Sequence, residues 1–146
     1  MKVFIIFSAI FMMGMTCMIY QGDVNVYMHE QETLKMIAEE AACQAALCLD
    51  DEAYGEGIMR FDTETAYAQV MLYTDEARKL LAYGDTYDFD IGISFEDDEK
   101  GYTDSNEDRN PTVTVTVKAA GDDFFRLPFL YKNTITRKSK YEVQVF

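Results

Sequence analysis

The chain has 146 residues, 49% of them apolar, which is enough for one domain with a core. Its 26 acidic residues outweigh 13 basic ones, and a net charge of −13 opposes binding to a nucleic-acid backbone. With a single histidine, His29, and no CxxC pair, phosphate-cradling glycine loop or GxSxG elbow, it lacks the material for a zinc site, a Ser/His/Asp relay or a nucleotide cradle. No catalytic residue, cofactor or small-molecule substrate is therefore expected, and His29 reads as a helix-surface residue.

Residues 3–20 (VFIIFSAIFMMGMTCMIY) carry no charge, and at helical rise they span roughly 27 Å, close to the thickness of a hydrocarbon core. Phe4, Ile5, Phe7, Ile10, Phe11, Met15 and Ile19 are the side chains expected to meet lipid or a partner helix. A cleaved signal peptide would want a shorter apolar run ending in a small-x-small site, which only Gly14-Met15-Thr16 approaches. A lipoprotein would need small residues before Cys17, where Met15 and Thr16 stand. The reading is a retained anchor over residues 1–22, followed by an acidic domain over 23–146. Lys2 is the only charge before Asp23, so the positive-inside bias puts the N-terminus in the cytoplasm and the domain outside the cell membrane.

From Val24 the apolar positions Val24, Met28, Leu34, Ile37, Ala38, Ala41 and Ala45 recur at helical spacing, with Glu30, Gln31, Glu39 and Glu40 between them. The helix is expected to run to about Cys48. No proline separates it from the anchor, so the two form one rod with a bend at Gly22. Cys43 and Cys48 would lie about 140° apart around such a helix and cannot bond to each other; they read as buried thiols or as sites for a partner-chain disulfide.

Asp50, Asp51 and Glu52 end this helix, and residues 54–61 (YGEGIMRF) form an edge strand or a loop. Asp62 is the expected N-cap of a second helix carrying Tyr67, Val70, Met71, Ala77, Leu80 and Leu81 up to Tyr83-Gly84. The period then changes to two. Tyr87, Phe89, Ile91, Ile93 and Phe95 share one strand face, Val113, Val115, Val117 and Ala119 a second, and Ile135, Tyr141, Val143 and Val145 a third. The economical architecture is α+β, with both helices on one face of a three- to four-stranded antiparallel sheet.

The acidic loop at 96–110 aligns with a calcium loop if Gly101 takes the glycine position, which puts Asp98 and Asp104 on ligand positions and Glu107 on the bidentate one. Glu96 would then stand where Asp is needed and Lys100 where a carboxylate is needed, and the flanks are strands; a solvated hairpin loop is the plainer reading. Beyond Asp123, the residues Arg126, Lys132, Arg137, Lys138 and Lys140 face only Glu142. This basic stripe compensates charge within the domain and protects an edge strand, or else it meets a second subunit head to tail.

An apolar N-terminal helix running into an alanine-rich one (QETLKMIAEEAACQAALCLD), an Ala/Tyr-rich helix, then the PTVTVTVKAA strand, FFRLPFL and a closing strand resembles the TadE/TadG-like minor pilins of tight-adherence (Flp, type IVc) pilus systems, in the form found in Gram-positive bacteria. The resemblance implies a pilin-like structural or assembly accessory protein, held in the membrane by its N-terminal helix beside other pilin-like or pilus-assembly proteins. Typical members carry a basic leader and a glutamate early in the apolar segment. This chain has only Lys2 and no acidic residue before Asp23, so no functional residue is carried over. The alternative is a membrane-tethered extracellular binding module, cation-dependent through the 96–110 loop.

Overall fold

In the computed structural model, which describes residues 1–104 and 106–144, the first element is a single helix, α1 (Lys2–Ala46), continuous through Gly22. Both prolines, Pro111 and Pro128, lie far downstream of it, so no residue in this span lacks the backbone donor the helix needs. No residue of α1 before Asp23 is buried. From Asp23 onward one stripe is: Glu30, Thr33, Leu34, Ile37, Ala38, Ala41, Ala42, Ala45 and Ala46. The helix stops at Ala46, two residues short of the expected end, and Cys48 lies beyond it in a half-buried turn, its thiol bonding to Gln44 O. All three cysteines are free, and Cys43 and Cys48 are half-buried rather than buried.

The segment expected as an edge strand or loop opens instead with a short helix, α2 (Asp51–Gly55), because the Asp50 carboxylate accepts from Glu52 N (3.0 Å) and Ala53 N (3.1 Å) and so caps two otherwise orphaned donors. The same carboxylate pairs with Arg60. Strand character is confined to a bridge between Leu49 and Phe61. Asp62 caps α3 (Thr63–Ala77) through Thr65 N, as expected. This helix ends at Ala77, earlier than Tyr83-Gly84, and passes into a 3₁₀ turn over Arg78–Leu80. Its buried stripe is Ala66, Val70, Thr74 and Ala77, while Tyr67, Met71 and Leu80 are exposed. Gly84 does have a structural reason: a Cβ there would sit 1.8 Å from the Arg78 carbonyl oxygen.

The sheet is a meander of β1 (Asp88–Glu96), β2 (Thr112–Ala120) and β3 (Thr134–Glu142) in the order β1-β2-β3, antiparallel throughout. Ile93 pairs with Val115, which pairs in turn with Ser139, and Phe89 with Ala119, which pairs with Ile135, so the alternating apolar residues of β1 and β2 point to one face. Val143 continues that face beyond β3; Val145, expected to extend it, lies outside the described residues. The helices cover this face: α1 runs along β2 and β3, and α3 packs on α1. The alanines bring the α1 backbone close to Val113, Val115 and Val117, all fully buried, and each valine removed from water contributes about 1.5–3 kcal/mol. The result is α+β, helices on one face of an antiparallel sheet, as the residue pattern predicts.

Candidate membrane and partner interface

The first two-fifths of α1 stands clear of the domain. Phe4, Ile5, Phe7, Ile10, Phe11 and Met15 are exposed, Ile19 is half-buried, and an 18-residue window of mean hydropathy 2.2 has no buried residue. This helix is long and apolar enough to cross a membrane, though a signal sequence would pass the same test. The Thr16 hydroxyl donates to Met12 O at 2.9 Å, so it brings no unmet donor into an apolar phase.

Where the bare part ends, the chain between β2 and β3 reaches across to it. Tyr20 stacks on Phe125 with centroids 6.3 Å apart, and Tyr27 meets Phe124 (5.3 Å) and Phe125 (5.7 Å). One helical turn from Tyr20, Asp23 is only 4% exposed; it accepts from Arg126 N (2.9 Å) and Nε (2.8 Å) and lies 2.7 Å from Nη2. These donors, the backbone N–H foremost, hold the Asp23 carboxyl below the usual carboxylate range. The cover is one loop thick, since the Arg126 side chain is itself largely exposed. A shallow cavity of about 300 Å³ opens beside the pair, lined by Asp23, Tyr83, Tyr87, Asp122, Asp123 and Arg126.

No known family, curated protein or solved structure matches the chain.

Two turns above Asp23, Glu30 is fully buried, where the helical pattern predicts a residue on the polar side. Its Oε1 accepts from Ala82 N at 2.7 Å and so ties the segment after α3 to α1. Among the described residues Oε2 and the Tyr87 hydroxyl have no hydrogen-bond partner in good geometry, yet each group lies close enough to perturb the other's titration. Burial pushes the Glu30 carboxyl up, against the opposing pull of the Ala82 N–H and His29, and burial together with Glu30 pushes the Tyr87 phenol up. A signal for Glu30 was present in the sequence. Met28 to Leu34 is six positions, which breaks the three-four rhythm, whereas stepping back from Ile37 and Leu34 lands on Glu30, Tyr27 and Asp23. Hydrophobicity alone passes over them because two of the three are carboxylates.

The acidic loop does not gather Asp98, Asp104 and Glu107. Asp98 Oδ2 accepts from Met59 N (2.9 Å) and Oδ1 from the Tyr102 hydroxyl (2.8 Å), while Asp104 and Glu107 are exposed. Among the described residues no group of three or more His, Cys, Asp or Glu is placed to hold a metal ion. The loop is organised by other side chains: buried Asp97 accepts from Glu99 N, Lys100 N and Phe61 N, and buried Asn106 bonds Glu96 and both backbone groups of Asn110. In the basic stripe, Arg126 goes to Asp23, Arg137 to Gln31 and Lys140 to Glu142 (2.6 Å). Lys138 stays exposed on edge strand β3, and His29 is exposed on α1.

Proposed function

We propose that this protein is a membrane-anchored, pilin-like structural or assembly accessory protein of a tight-adherence type pilus or secretion system. Residues 3–20 anchor it and pack beside the N-terminal helices of pilin-like partners, with the N-terminus cytoplasmic and the acidic domain outside. The observation that carries this reading is the continuity of α1. One 45-residue helix is bare and apolar over its first part and forms the spine of an α+β domain over the rest, so the membrane segment and the domain move as one body. The resemblance in element order supports a structural role. Retention of the segment is supported by its length and by the poor small-x-small site at Gly14-Met15-Thr16.

The test is carbonate extraction of membranes carrying the full chain or the Phe7→Lys/Phe11→Lys double variant. A lysine opposes insertion by about 2.5–3.5 kcal/mol at mid-span, where Phe11 lies, and by less at Phe7, so the two together reverse the few kcal/mol that the apolar residues supply. The parent chain is expected to stay in the pellet and the variant to be extracted; a parent chain that washes off contradicts the reading.

A further inference from the structure

The β2–β3 connection approaches the bare part of α1 in steps. Arg137 of β3 bonds Gln31, Phe124 packs on Tyr27, Arg126 holds Asp23, and Phe125 stacks on Tyr20, each contact about one helical turn nearer the N-terminus. The connection is itself a narrow hairpin: Gly121 N donates to Asn133 O, then Phe124 N to Lys132 O, and Leu130 N to Leu127 O closes the tip. Residues 127–130 close this hairpin directly beyond Phe125 and Arg126, the residues that meet α1 at Tyr20 and Asp23.

The chemistry of the tip matches the level of α1 at which its hairpin is held. Between Arg126 and Lys132 the chain reads Leu-Pro-Phe-Leu-Tyr without a charge, and Phe129 is 72% and Tyr131 76% exposed. Tyr20, which stacks on Phe125, is the last residue of the apolar run 3–20 and so marks the level at which a spanning helix leaves the hydrocarbon. Aromatic side chains flanked by Arg and Lys at that level are the composition of a membrane-water interface.

We propose that residues 127–131 form a second membrane contact, inserting Phe129 and Tyr131 into the headgroup layer beside α1. The proposal rests on α1 being the anchor. It makes the domain stand on the bilayer at a fixed orientation, held by one helix and one hairpin tip that the Asp23–Arg126 pair couples to each other. The bilayer is the occupant because the connection that carries the tip is held to α1 at Tyr20 and at buried Asp23, the level where the bare apolar part of the helix ends.

The chain has no tryptophan, so single-Trp variants of the full protein report depth directly in phosphatidylcholine/phosphatidylglycerol vesicles whose acyl chains are brominated near the headgroup or near the bilayer centre. Phe129→Trp is expected to lose about half its emission to shallow bromines and less to deep ones, the order for an interfacial side chain. Phe11→Trp should show the reverse order, and Tyr54→Trp, exposed beyond the far end of α1, should be quenched by neither. Quenching of Phe11→Trp without quenching of Phe129→Trp overturns the tip contact and leaves the anchor standing. An unquenched Phe11→Trp overturns the anchor itself. Equal quenching of Phe129→Trp and Tyr54→Trp, or a blue shift of Phe129→Trp that follows protein concentration in the absence of lipid, also overturns the tip contact, in favour of non-specific adsorption or a second copy of the chain.

Discussion

Two carboxylates on the buried stripe of α1 respond to pH in opposite senses. Asp23 is held ionised by Arg126, so its contribution to stability is present above the ordinary aspartate value and is lost as pH falls through the depressed folded value. Glu30 is pushed up by burial, so its contribution is full below the ordinary glutamate value and is lost as pH rises through the raised folded value. Glu30→Gln keeps the acceptor for Ala82 N, offers an N–H to the Tyr87 hydroxyl and cannot ionise. Thermal unfolding of the detergent-solubilised chain should show variant and parent equal at acid pH. As pH rises the parent should lose stability relative to the variant, by about 1–3 kcal/mol, the range for an unmet buried polar group. A gap that does not widen with pH would show that Glu30 is not ionising in the folded core. Neither residue was legible from hydrophobic periodicity: both are acidic, and a carboxylate on the core stripe of a helix looks like a residue on the solvent face until its partner is known. Asp23's partner is 103 residues away and Glu30's is 52.

Among the elements, the long helix and the three strands were legible because each repeats one rule over nine or more residues. Val113 to Ala119 alternate strictly, and Ala38 to Ala46 leave only one stripe that fits against a sheet. The segment from 47 to 87 was read less well. Asp50 caps a helix of its own instead of merely ending α1, and the carbonyl of Arg78 needs the room that Gly84 leaves, so α3 gives way to 3₁₀ turns well before the glycine that was expected to stop it. The first outcome depends on which donors a single carboxylate meets, the second on one close backbone approach. The alanine stripe itself is open to test. Ala41 is fully buried in the helix-sheet layer, and Ala41→Leu should cost about 1–3 kcal/mol in denaturant unfolding through overpacking. Met36→Leu, on the exposed side of the same helix, should change stability by less than about 0.5 kcal/mol. Equal effects at the two sites would show that α1 does not pack on the sheet through its alanines.

At the scale of the molecule, an apolar helix end whose one charged side chain is Lys2 and a body that holds all 26 acidic residues are joined without a linker. A flexible tether would let the domain drift; here α1 continues unbroken, and Tyr20, Asp23 and Tyr27 bind the β2–β3 hairpin where the bare part begins. Cleavage at Gly14-Met15-Thr16 would leave every buried residue of α1 in place, so the fold tolerates either fate of the segment and only the mature protein distinguishes them. The deciding measurement is the N-terminal sequence of the protein recovered from membrane and soluble fractions of a host with its native export machinery. The account predicts an intact N-terminus at Met1 or Lys2 in the membrane fraction. A soluble product that begins between Thr16 and Asp23 would contradict it, and would make this chain a secreted domain.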